Sequence, residues 1–178
     1  MKKRGKIAQV WIETVIYTLI GLAIIGTLLA VTTPKINQLK DKAIITQTIE
    51  SLNNLNQQIQ NTLIASGNKR TVSLTIKKGE YVIDSVNNNI YYVMKGTNLL
   101  YSQLNQSQKQ GDITILTEEM NNRYNIYLIL NYSSYNITYQ DEDKNRALTS
   151  APAAYNLLIE NKGSLTSDSP IQINIEPI

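Results

Sequence analysis

Hydrophobic positions along the chain follow three successive patterns. From Val10 to Thr33 they form an almost unbroken apolar run of 24 residues. As a helix this run rises about 36 Å at ~1.5 Å per residue, enough to cross a hydrocarbon core of ~30 Å. Past Pro34 the pattern becomes amphipathic. Ile45, Ile49, Leu52, Ile59 and Leu63 recur at spacings that fit one helical face, with Gln47, Glu50, Asn53, Asn54, Gln57 and Gln60 between them. Ser66-Gly67-Asn68 is a stop signal, because glycine readily takes the left-handed conformation beyond a helix end. The spacing predicts one helix over residues 10–66, kinked at Pro34, which lacks an amide donor and crowds the preceding turn.

From Arg70 the period falls to two. Val72, Leu74 and Ile76 alternate with polar residues, as do Ile90, Tyr92 and Met94, then Ile126, Leu128 and Leu130, and finally Ile171, Ile173 and Ile175. Shorter runs occur at Tyr81–Asp84, Ile113–Leu116, Ile137–Tyr139 and Tyr155–Glu160. Such alternation marks strands with one face buried and one solvated. The signals Lys77-Lys78-Gly79, Asn87-Asn88-Asn89, Lys95-Gly96, Gly111-Asp112 and Lys162-Gly163 separate them as turns. Leu99–Gln110 and Asp141–Ala154 read as longer loops. The expected fold is therefore α+β: a long kinked N-terminal helix followed by an antiparallel β-sandwich-like head over residues 70–178. Within residues 9–69 the helix is transmembrane in character over 10–33 and amphipathic over 35–66. Its apolar stripe has two candidate uses, packing under the β domain or padding neighbouring helices.

Charge sharpens the reading of the first segment. Of 17 Lys and Arg, four stand at Lys2, Lys3, Arg4 and Lys6, and those that remain are slightly outnumbered by 14 Asp and Glu. The basic balance is thus local, and no basic face for nucleic acid is indicated. A basic leading flank keeps the N-terminus cytoplasmic and sends the C-terminal part of the chain across the membrane. The apolar run exceeds the ~7–15 residues of a secretory signal core, and no small-x-small cleavage site comes after it. Two readings are left: a plain single-pass anchor, or a leader of residues 1–8 clipped before the apolar run.

Glu13 bears on that choice as the one charged residue within the run. In the plain anchor it sits in the first turn, where the helix macrodipole favours it. In the clipped chain, a cut between Ala8 and Gln9 makes Gln9 the first residue and Glu13 the fifth. The new α-amino group, cationic at neutral pH, then lies one helical turn from the carboxylate. In an apolar filament core each charge alone is costly, and pairing, within one subunit or between neighbours, offsets that cost.

The run from Lys2 to Ala8, followed by Gln9-Val10-Trp11-Ile12-Glu13-Thr14-Val15, resembles the leader and mature start of type IV pilin-like proteins. The segment VWIETVIYTLIGLAIIG is most similar to archaeal pilins and archaellin-like surface proteins. The resemblance covers about the first 35 residues in detail. It implies processing by a prepilin peptidase, a fifth-position glutamate used in assembly, packing of helices into a filament core with copies of the chain or related pilin subunits, and a β-sandwich head. One departure is Ile7, where the family has a basic residue before the cut. Arg4-Gly5 matches that pair better, yet a cut after Gly5 would put Glu13 eighth and break the charge spacing.

The chain has no cysteine and no histidine, which removes disulfides, thiolate catalysis and imidazole acid–base chemistry. No Gly-rich phosphate loop and no carboxylate pair in a recognisable context stands out, so no enzyme, cofactor or metal is expected. Asp141-Glu142-Asp143 lacks the calcium-loop pattern and reads as a solvated loop. Asn105, Asn131 and Asn136 each begin an N-x-Ser/Thr sequon in the exported part. The 11 tyrosines fall mostly in strand patterns, as half-buried sheet residues. The expected function is a structural subunit of a type IV pilus-like filament or pseudopilus, starting as a single-pass membrane protein and ending at the cell surface. The alternative is a membrane-anchored surface adhesin or binding module that does not polymerise.

Overall fold

The computed structural model describes residues 4–166 and 168–178, with side chains from Trp11 onward. Helix α1 spans Arg4–Thr62, and ten strands come after it. The chain divides into two compact units, Met1–Lys40 and Asp41–Ile178. Helix α1 runs through both.

In the second unit the strands are β1 (Lys69–Leu74), β2 (Glu80–Asp84), β3 (Asn89–Thr97), β4 (Gln108–Gln110), β5 (Ile113–Met120), β6 (Arg123–Asn131), β7 (Asn136–Tyr139), β8 (Arg146–Thr149), β9 (Tyr155–Gly163) and β10 (Gln172–Pro177). They form a four-stranded sheet, β1-β9-β10-β7, and a six-stranded sheet, β4-β5-β6-β3-β2-β8. Every named pairing is antiparallel except β7 with β10, which run parallel. All eight periodic runs are strands, and the α+β expectation of a long helix and a β head holds. The two expected long loops each contain a short strand. β4 is Gln-Lys-Gln, exposed throughout, and β8 buries Leu148 alone. Both lie at edges of the six-stranded sheet, where one neighbour's ladder suffices and no apolar alternation is required.

The amphipathic stripe has the first of its two candidate uses. Ile45, Ile49, Leu52, Leu55 and Ile59 are buried in one cluster with Val72, Leu74, Ile159 and Ile173 of the first sheet and Ile83, Ile90, Met94, Ile126 and Leu128 of the second. Helix and both sheets therefore share a core. Leu63 packs against it only in part.

The helix ends at Thr62, four residues before the expected 66. The side chain of Asn161 on β9 explains this, because its Nδ2 donates to the carbonyls of Thr62 at 2.9 Å and Ala65 at 3.2 Å. Last-turn carbonyls need such external partners. Gly67 does take a left-handed φ of 82°, but it serves the turn into β1 and donates its N–H to Asn161 O at 2.7 Å.

Two buried polar nodes tie the helix to the sheets. Asp41, with 7 % of its surface exposed, accepts Lys78 Nζ at 2.6 Å on one carboxylate oxygen and the Thr97 hydroxyl on the other. Asn56 interrupts the apolar repeat because it has a different task. Its Nδ2 donates to Asp112 Oδ2, and its Oδ1 accepts the Tyr132 hydroxyl, both at 2.8 Å. Burial, and then the Asp112 charge, push the Tyr132 phenol up, so it stays a donor.

Replacing Leu52, which has no exposed surface, with Ala leaves a cavity between helix and sheets. Leu52→Ala is expected to cost about 2–5 kcal/mol. Asn53→Ala, on the exposed side of the same turn, is expected to stay within about 0.5 kcal/mol. Thermal unfolding of both variants in detergent checks the contrast.

Candidate functional site: the uncovered apolar helix

Between Trp11 and Thr33 every residue of α1 is exposed except half-exposed Gly21. Trp11 is 73 % exposed, Leu22 61 % and Val31 66 %. This is the one helix among the described residues long and apolar enough to cross a membrane, and none of its most apolar window is buried. Soluble proteins rarely leave so large an apolar surface in water, and such a surface marks a site of association with another protein or with lipid. That much is compatible with a membrane anchor.

Polar groups on this segment are arranged for apolar surroundings. Thr18 donates its hydroxyl to Thr14 O, Thr27 to Ala23 O, Thr32 to Leu28 O and Thr33 to Leu29 O, at 2.7–2.8 Å. Each bond closes within the helix, four residues back. Transfer into an apolar phase therefore strands none of these four donors, which otherwise costs several kcal/mol per group. Pro34 lies inside the helix rather than at its end. It has no amide hydrogen to give the carbonyl of Ala30, four residues before it.

Of the predicted leader, residues 1–3 lie outside the described residues. The Ala8–Gln9 bond is on the backbone of α1, but neither side chain is among those described. The side chain of Glu13 is exposed. Because helix α1 is continuous from Arg4, positions 9 and 13 stand one turn apart on the same face.

The three sequons are not equivalent. Asn131 and Ser133 are both exposed, and Asn131 Oδ1 accepts the Ser133 N–H at 2.9 Å. Asn105 and Ser107 are exposed too, and Asn105 has a φ of 55° that asparagine tolerates well. Asn136 is half-buried in β7, and its partner Thr138 is 3 % exposed, with its hydroxyl bonded to Asn174 Oδ1 at 3.2 Å. In the acidic run, Asp141 pairs with Lys162 at 3.4 Å and Glu142 with Lys144 at 2.7 Å.

Sequence periodicity did not single out Asp41 or Asp112 as the acidic partners in the two polar nodes between helix and sheets. A lone aspartate in a polar stretch carries no signal of its partners. No family model matches the chain, and neither the curated proteins nor the solved structures give a match.

A charge placed in the middle of the uncovered segment tests what it is built for. Leu22→Lys adds about 3 kcal/mol to the cost of entering hydrocarbon. It is expected to move the chain from the membrane and detergent phases toward the aqueous phase. Thr27→Val is expected to change nothing in the same fractionation, since that hydroxyl is already satisfied within the helix.

Proposed function

We propose that the chain is a structural subunit of a type IV pilus-like surface filament or pseudopilus, assembled through its apolar N-terminal helix. The observation that carries this reading is a division within one helix. Its second part is built into a complete head core, while its first part presents apolar surface on all sides. Such a helix suits a subunit that moves from bilayer to filament, where its whole circumference meets first lipid and then other helices. Helix burial then holds subunits together, and the β head forms the outer layer.

In this reading the basic residues Lys2, Lys3, Arg4 and Lys6 hold the leader in the cytoplasm. A prepilin peptidase cuts between Ala8 and Gln9. The released α-amino group and Glu13 then provide the polar pair that sets axial register inside an apolar bundle. An unpaired charge there would be costly, so out-of-register packing is disfavoured. The second reading, an anchored binding module that does not polymerise, draws support from a tyrosine-lined groove on the six-stranded sheet of the head.

The same reading places Asn105 and Asn131 outside the cell as acceptors for N-linked glycans, with both members of each sequon open to a transferase. Asn136 stays bare in the folded head because Thr138 is buried.

Glu13→Ala is expected to abolish filaments seen by electron microscopy while leaving the chain in the membrane fraction. N-terminal sequencing of surface protein is expected to begin at Gln9. Filaments that survive the substitution, or a surface protein that begins at Met1, overturn the proposal. Mass measurement on native material is expected to show added glycan mass that falls with Asn131→Gln or Asn105→Gln and is indifferent to Asn136→Gln.

A further inference from the structure

The outer face of the six-stranded sheet departs from a solvated face. An antiparallel sheet with one side in water alternates apolar inward and polar outward. Here β3 reads Ile90-Tyr91-Tyr92-Val93-Met94 and β6 reads Ile126-Tyr127-Leu128-Ile129-Leu130, apolar or aromatic on both sides. Register places the outward residues in two adjacent rows. Tyr91 faces Ile129 on β6 and Val82 on β2, while Val93 faces Tyr127, which in turn faces Leu116 on β5. Tyr91 and Tyr127 are therefore diagonal neighbours, a spacing of about 7–8 Å between Cα positions. Between them runs a groove of about 360 Å³ lined by Asn89, Tyr91, Leu116, Glu118, Tyr127 and Ile129.

We infer that this groove binds the ring of a neutral sugar, within an oligosaccharide. Three observations fix the chemistry. Two tyrosines on a hydrogen-bonded ladder line the groove, and an aromatic π face suits the weakly positive C–H face of a pyranose. Glu118, half-buried at the rim, makes no salt bridge among the described residues, so its carboxylate is an acceptor for hydroxyl donors. Asn89 Oδ1 is buried at the groove's other end with no hydrogen-bond partner. An orphaned amide oxygen is costly, and its soft χ2 torsion lets a small rotation present it to a ligand hydroxyl.

Size argues for a sugar over a protein partner. The four large apolar and aromatic residues are only half-exposed, and none protrudes. A stable protein interface needs about 800 Å² and roughly 20–30 residues per partner, far more than the few residues that line this groove. Lys95 lies beside the two tyrosines but is paired with Glu80, which leaves Glu118, among the described residues, as the unpaired carboxylate on the groove. The site stands on the head alone and holds whether or not the chain polymerises.

Titration of the full chain with maltohexaose, mannohexaose and chitohexaose tests this, in a detergent without a sugar headgroup. Calorimetry is expected to show saturable binding to at least one of them, with a Kd of about 1 mM or tighter. Glu118→Ala is expected to weaken it about ten-fold, the worth of one charge-assisted hydrogen bond. Tyr127→Phe, which keeps the ring, is expected to bind nearly as well as the parent, whereas Tyr91→Ala with Tyr127→Ala abolishes binding. Should that pair of changes unfold the head, NMR shifts of the tyrosine rings on adding sugar give the same answer from the unaltered chain. Absence of binding to all three sugars overturns the inference, as does binding indifferent to Glu118→Ala and without tyrosine shifts. If the tyrosine changes instead alter self-association, the groove is a contact between copies and the inference also fails.

Discussion

An α-helix satisfies its own backbone, and this constraint shapes the molecule. Every interior N–H and C=O is paired within the element, so a helix can run from a packed core into an apolar phase without stranding polar groups. A strand has no such freedom, since its partners lie on other strands. Helix α1 uses this property along Arg4–Thr62, save at the Ala30 carbonyl opposite Pro34, with the hydroxyls of Thr18, Thr27, Thr32 and Thr33 also turned back onto its own carbonyls. Up to Lys40 the helix is a unit by itself, and from Asp41 it is a component of the head.

Within the head the helix takes the place of additional sheet surface. Ile45, Ile49, Leu52, Leu55 and Ile59 fill the core alongside residues of both sheets. Apolar contacts alone are non-directional, however, and would tolerate a helix slid or rotated by a turn. The bonds of buried Asp41 to Lys78 and Thr97, and of buried Asn56 to Asp112 and Tyr132, oppose such slippage. Any shift would leave a carboxylate or an amide buried without partners, a penalty of several kcal/mol. These pairs add little net stability, but they select one arrangement of helix on sheet.

The proposed filament would repeat the same division of labour between subunits. In that proposal burial of uncovered helices would supply the energy of association, and a single pair of charges, the trimmed amine and Glu13, would supply the register. The head would be free of that duty, and it carries exposed sequons at Asn105 and Asn131 and a tyrosine-lined groove on the six-stranded sheet.

The sequence by itself determined the long helix, eight of the strands, the turn at Gly79 and the apolar character of residues 10–33, because hydrophobic period and glycine placement act locally. It also exposed Glu13 as an anomaly, since a charge amid apolar neighbours is visible in one dimension. Other features were decided only by tertiary structure. The helix stops at Thr62 because Asn161, 99 positions away, binds its terminal carbonyl. β4 and β8 exist because a neighbouring edge offers them hydrogen bonds, which leaves no hydrophobic signature. Asn56 reads as a flaw in a repeat until Asp112 and Tyr132 arrive beside it. Tyr91 and Tyr127 read as ordinary strand residues until register sets them diagonally on one open face. In each case the deciding contact joins residues far apart in the chain, and a one-dimensional pattern records a residue's own polarity but not which partner the fold will bring to it.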